Sequence, residues 1–136
     1  MSKIHKASCD CGAVSFEVEL KDTAVTACHC ASCQKISSSF FTCVHYNGEI
    51  DFKGADNIKI YDSSAWAQRG FCNQCGSNIY YKTKSAPQYS LAAGLFDDKA
   101  SFDLKTQYFI DIKPNYIELT AKTDNMTRKE CFDKWG

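Results

Sequence analysis

A chain of 136 residues is the length of one domain, large enough to bury a core and small enough to gain from metal cross-links. Lys plus Arg and Asp plus Glu number 16 each, and no basic run stands out, so no dedicated nucleic-acid footprint is expected. No stretch approaches the roughly 20 apolar residues of a membrane span, and residues 1–6 lack the apolar run of a secretory signal.

Taken in chain order, the pattern is mostly period-two. Val14, Phe16, Val18 and Leu20 alternate with Ser15, Glu17 and Glu19, predicting a strand with one buried face. Val25 and Ala27 lead into a cysteine-rich segment. Residues 40–46 read as a strand ended by Asn47-Gly48, a hairpin signal, with residues 50–52 expected to pair back across it. Residues 58–61 alternate again, residues 66–71 run into a second cysteine pair, and residues 79–81 leave it. Residues 88–93 and 107–112 are expected as further strands, the last ended by the Pro114 step. Only residues 125–135 carry a helical spacing, through Met126, Lys129 or Glu130, and Phe132. Short, regularly spaced strands predict an all-β sandwich or folded-over sheet forming a single domain over 1–136, with a possible short C-terminal helix.

Seven of the nine cysteines fall into three clusters: Cys9-Asp10-Cys11-Gly12, Cys28-His29-Cys30-Ala31-Ser32-Cys33 and Cys72-Asn73-Gln74-Cys75-Gly76. Pairs one or two residues apart are poorly placed for a disulfide and well placed to grip one metal ion, and the odd total also disfavours a disulfide framework. Reduced thiols fit a cytoplasmic protein. Cys9, Cys11, Cys72 and Cys75 complete a four-sulfur cage, the expected structural zinc site; iron accepts the same donors. A CxC pair in a regular strand would point its sulfurs to opposite faces, so the backbone must turn there. Gly12 and Gly76 supply that freedom, and such turns aim N–H groups at the thiolates.

Cys28, Cys30 and Cys33 count one ligand short of a closed shell. Cys43, Cys131 or a histidine would close it as a second structural site. Catalytic zinc typically keeps three protein ligands and an exchangeable position, which is the reading favoured for this trio. Cys43 sits in an apolar run and reads as a core residue. His29 is expected to point away from the trio, as a supporting donor or packed side chain. His5 and His45 carry no recognisable catalytic spacing. Ser37, Ser38 and Ser39 read as a loop near the trio. Trp66, Phe71, Tyr80 and Tyr81 are expected to pack the core or wall a cleft. Asp22, Asp97 and Asp98 read as solvated turns.

These clusters resemble the family of glutathione-dependent formaldehyde-activating enzymes and centromere-protein-V-like domains. The likeness rests on Cys9-Asp10-Cys11-Gly12-Ala13-Val14, Cys28-His29-Cys30-Ala31-Ser32-Cys33-Gln34-Lys35 and Arg69-Gly70-Phe71-Cys72-Asn73-Gln74-Cys75-Gly76-Ser77, and covers about residues 5–118. It implies an Mss4-like folded β-sandwich, structural zinc at Cys9, Cys11, Cys72 and Cys75, and a catalytic zinc at Cys28, Cys30 and Cys33. It also implies a carbon–sulfur lyase that reversibly joins glutathione or a similar thiol to formaldehyde. The alternative is a non-catalytic, zinc-stapled carrier for glutathione or its adducts. Lys35 and Arg69 are candidates to meet the carboxylates of such a thiol, or else surface charges. Family members often carry a His in the final strand and a Trp after the following turn; Tyr108, Asn115 and Tyr116 stand near those places here. The tail from 119 to 136 has no expected counterpart.

Overall fold

The computed structural model describes residues 3–135. In chain order the strands are β1 (Lys3–Ser8), β2 (Ser15–Leu20), β3 (Ala24–Cys28), β4 (Phe41–Asn47), β5 (Ile58–Asp62), β6 (Ala67–Cys72), β7 (Asn78–Thr83), β8 (Gln88–Ala92), β9 (Asp103–Tyr108) and β10 (Asp124–Met126). Two short helices, α1 (Ala31–Ser37) and α2 (Arg128–Trp135), interrupt this all-β pattern. No helix among the described residues is long and apolar enough to cross a membrane. Backbone contacts divide the chain into two compact units, one containing the segment through Thr23 with Val44–Ser101, the other Ala24–Cys43 with the chain from Phe102 onward.

In the first unit, β1 and β2 form an antiparallel hairpin with Lys3 opposite Leu20 and Ser8 opposite Ser15. Phe16, Val18 and Leu20 are buried while Glu17 and Glu19 face outward, as the alternation predicts. Strands β5, β6, β7 and β8 form an antiparallel meander. An aromatic cluster packs this unit: Phe52 lies 5.2 Å from Phe16 and 5.6 Å from Tyr80, and Tyr80 meets Tyr89 edge-on at 5.1 Å. The hairpin expected across Asn47-Gly48 does not form. Gly48 N–H is taken by the Pro87 carbonyl at 2.8 Å, and Lys53 exchanges both backbone hydrogen bonds with Ser15. Residues 50–52 therefore cross as an irregular segment, and Phe52 contributes its ring rather than a strand.

In the second unit, β3 lies between β4, antiparallel to it, and β9, parallel to it, with β10 parallel on the far side of β9. Val25, Thr26 and Ala27 are consecutively buried, as a strand covered on both faces requires. The strand expected at 107–112 lies earlier, because Phe109 takes the left-handed conformation (φ 58°) and Ile110–Ile112 turn as a 3₁₀ segment. Helix α1 was not expected: its 7 residues are too few to show a periodicity. The helix expected over 125–135 begins later, since Asp124–Met126 pair with β9. Its start is a capping box, in which Glu130 N–H donates to the Thr127 hydroxyl at 3.1 Å and Thr127 N–H donates to the Glu130 carboxylate at 3.0 Å.

Candidate metal centres

The β1–β2 turn carries Cys9 and Cys11, and the β6–β7 turn carries Cys72 and Cys75. Their four sulfurs lie within 4.8 Å of one another. Gly12 and Gly76 both adopt the left-handed conformation, at φ 80° and 79°, which reverses the chain behind each pair and lets two sulfurs face one point. Gly12 N–H bonds the Cys9 carbonyl at 3.1 Å and Gly76 N–H bonds the Cys72 carbonyl at 2.8 Å, closing the two turns alike. Backbone N–H groups then point at the sulfurs, Val14 to Cys9 at 3.3 Å and Gln74 to Cys72 at 3.4 Å. Cys9 and Cys11 sulfurs are 3.7 Å apart, and those of Cys11 and Cys72 are 3.8 Å apart. A tetrahedron with metal–sulfur bonds of about 2.3 Å has edges near 3.8 Å, so these side chains fit a four-coordinate dication.

The electrostatics favour the same arrangement. The Ser77 hydroxyl, the Ser77 N–H and the Cys11 N–H draw the Cys75 thiol down to about 6. Cys11 is pushed up to about 12: the Ala13 N–H favours its thiolate, but desolvation and the thiols of Cys75, Cys9 and Cys72 outweigh it. Four sulfurs this close cannot all be anions unless a cation sits among them.

The second cluster lies wholly in the other unit. Cys28 ends β3, Cys30 caps α1 and Cys33 lies in its first turn, and their three sulfurs again fall within 4.8 Å of one another. Cys30 sulfur accepts the Cys33 N–H at 3.2 Å, the place a Ser or Asp side chain usually takes at a helix start. Hydrogen bonds with the Cys30 and Cys33 thiols, followed by burial, push the Cys28 thiol far above its ordinary range. Among the described residues this group contains three side chains: neither Cys43 nor Cys131, both buried, nor any histidine belongs to it. Cys28 and Cys30 are half-buried, while Cys33 is buried. The trio offers three sulfurs that could hold a metal ion, one fewer than the other cluster.

His29 is fully buried, and its Nε2 donates to Gln107 Oε1 at 2.8 Å. His5 is buried edge-on to Phe96, and His45 is exposed, 3.3 Å from the Ser90 hydroxyl. Arg69 is not a surface charge: it is buried, its guanidinium 5.0 Å from the Tyr81 ring centre. Lys35 is exposed on α1. Trp66, expected in a core or cleft wall, is 62% exposed. Tyr108 lies opposite Cys28 on β9, and burial raises its phenol. Sequence reasoning assigned no role to three residues that support the clusters. Ser77 accepts the Asp10 N–H at 3.1 Å and touches Cys75 sulfur at 3.2 Å. Gln34 donates to the His29 and Ile112 carbonyls at 2.8 and 3.0 Å, and Gln107 anchors the His29 ring. Ser77 and Gln34 fall inside the quoted motifs; Gln107 carries no sequence signal.

A β-rich chain with a four-sulfur cluster built on two turns and a three-sulfur cluster built on a strand end and a helix start defines a class of cysteine-rich proteins able to hold metal ions. Comparison narrows the class. The profile of the glutathione-dependent formaldehyde-activating enzymes matches residues 4–111, and the chain belongs to that family. It is 28% identical over 129 residues to a Schizosaccharomyces pombe protein named as an uncharacterized lyase, covering 94% of each chain. It is 23% identical over 138 residues to a Halomonas elongata protein provisionally named as a glutathione-dependent formaldehyde-activating enzyme, covering 93% of this chain and 85% of that one. A crystal structure of a Rhodobacter sphaeroides protein superimposes with a TM-score of 0.59 at 26% identity, over 68% of this chain and 87% of the other. The all-β, Mss4-like expectation agrees with this likeness and with the strand content.

Proposed function

We propose that this protein is a zinc-dependent carbon–sulfur lyase that reversibly joins glutathione, or a similar small thiol, to formaldehyde. The observation that carries this reading is the pair of clusters: four sulfurs that complete a shell, and three, from half-buried Cys28 and Cys30 and buried Cys33, that do not. Zinc is the proposed ion at both, with Cys9, Cys11, Cys72 and Cys75 holding the structural one and Cys28, Cys30 and Cys33 the catalytic one. Family membership supports the substrate class.

In the forward direction a carbon–sulfur bond forms, the carbonyl π bond breaks, and the thiol proton ends on the former carbonyl oxygen, giving an S-hydroxymethyl adduct. Zinc at the trio would supply a cation that lowers the pKa of an incoming thiol from about 8.5 toward neutrality. The chain's own residues do the rest. Cys28 and Cys33 bring their sulfurs from a strand end and a helix, and Cys30 joins them as the helix cap, so all three arrive on rigid elements. Lys35, exposed two residues beyond Cys33, offers a positive charge to a substrate carboxylate. With three thiolates on the zinc, such a centre would be electron-rich and would suit a bound sulfur nucleophile better than a polarised carbonyl.

Thiols add to formaldehyde unaided, so the test must measure acceleration. Exchange between glutathione, formaldehyde and the adduct, followed by magnetisation-transfer NMR, should be faster with the zinc-loaded protein than without it. Cys30→Ser should abolish the difference. Tight binding of glutathione without acceleration would favour the carrier reading instead, and equal acceleration by Cys30→Ser would contradict both.

A further inference from the structure

His29 stands between Cys28 and Cys30, yet its ring is not part of the sulfur cluster. Nearly every polar group of this residue is tied down. Its N–H donates to the Tyr108 carbonyl at 3.0 Å, its carbonyl accepts Gln34 Nε2 at 2.8 Å, and its ring Nε2 donates to Gln107 Oε1 at 2.8 Å. The bonding continues outward. Gln107 Nε2 donates to Thr123 Oγ1 at 3.0 Å, and the Thr123 hydroxyl donates to Asn125 Oδ1 at 2.6 Å. An amide nitrogen only donates and an amide oxygen only accepts, so this order makes His29 Nε2 the protonated nitrogen. Nδ1, the other ring nitrogen, is buried with no hydrogen-bond partner among the described residues. Leaving such an atom unmet costs about 1–3 kcal/mol, which an apolar side chain at this position would avoid. The ring's bond to Gln107 is the feature that offsets this cost.

We infer that His29 is a positioning residue for the three-cysteine cluster, holding the Cys28–Cys30 backbone through Gln107 and the C-terminal segment. This rests on reading Cys28, Cys30 and Cys33 as metal ligands. Thr123 and Asn125 lie beyond residue 111, where the family profile ends, so the far end of the relay lies in the C-terminal extension that follows the profiled region. Other bonds fasten that extension beside the cluster. β10 pairs with Thr106, Gln107 and Tyr108 of β9. Arg128 N–H donates to the Asp111 carboxylate at 2.7 Å, and the Phe132 ring packs edge-on against left-handed Phe109 at 5.7 Å. The extension thereby sets how firmly the trio keeps its ion. Removing a group that orients metal ligands typically costs about 10–100-fold in affinity.

The test uses the full-length protein loaded with two zinc ions and a mild chelator, following release of the more labile ion. His29→Leu should speed that release about tenfold or more, with the four-cysteine ion unaffected. His29→Gln, whose amide nitrogen can still donate to Gln107 Oε1, should return it to within about threefold of the parent. Gln107→Leu should match His29→Leu, the double variant should add nothing further, and Thr123→Val should show a smaller change in the same direction. A purely structural role would instead lower the unfolding temperature without this dependence on the donor. Unchanged release in His29→Leu, additive losses, or failure of His29→Gln to restore retention would overturn the inference. Should His29→Leu not fold, unchanged release in both Gln107→Leu and Thr123→Val overturns it equally. A parent protein that binds a single zinc ion overturns it as well. Adduct exchange measured on the same samples separates the two ideas: a parent without acceleration sinks the lyase reading and leaves the release pattern standing.

Discussion

At the scale of single residues, the clusters depend on atoms that are absent as much as on sulfurs. Gly70, two residues before Cys72, shows why. A Cβ built there would sit 2.6 Å from Tyr80 Cζ and 3.0 Å from Ile58 Cγ2, because the Tyr80 ring lies across it as its cross-strand partner. Gly70→Ala should therefore cost about 1–3 kcal/mol of stability by overpacking, measured by urea denaturation with zinc present. Cys11 gives the opposite test, since it is the exposed member of its cluster. Cys11→Ser alters no core packing, yet it should lose one zinc ion and melt at a clearly lower temperature, because structural zinc contributes folding free energy directly. Calorimetry with metal analysis checks this; an unchanged zinc count and melting temperature would contradict the assignment.

At the scale of elements, the aromatic cluster of the first unit joins β2, β7 and β8 through Phe16, Tyr80 and Tyr89. Burial pushes the Tyr80 phenol up to about 12, with Tyr89 adding to it. The unfolded chain ionises near 10 and the folded one near 12, so the stability Tyr80 confers is complete below pH 10 and falls as pH rises toward 12. Tyr80→Phe should flatten that alkaline decline, seen as melting temperature against pH. Strands such as β2 were legible because Val14, Phe16, Val18 and Leu20 alternate, and the sulfur turns because Gly12 and Gly76 close them. Helix α1 was illegible because it is held by Cys30 as cap and by Gln34, not by an apolar stripe. Asn47-Gly48 looked like a hairpin, but Pro87 and Ser15 took the backbone groups that pairing would have needed. The Thr127–Glu130 capping box was present in the sequence and marks the true start of α2 better than its apolar spacing.

At the scale of the molecule, each compact unit carries one cysteine cluster, one of four sulfurs and one of three, and each could hold a metal ion. The grouping of the seven clustered cysteines was fully legible, since close spacing is itself the constraint a metal would impose. The relay from His29 to Asn125 was not, since Gln107 and Thr123 meet His29 only through the parallel pairing of β3, β9 and β10. The central claim is that an ion held by Cys28, Cys30 and Cys33 keeps a position for an incoming thiol. X-ray absorption at the zinc edge of the two-zinc protein reads this directly. The average should be about 3.5 sulfurs per zinc without thiol and about 4 once glutathione is added. Four sulfurs per zinc from the outset, or no change on adding the thiol, would contradict it.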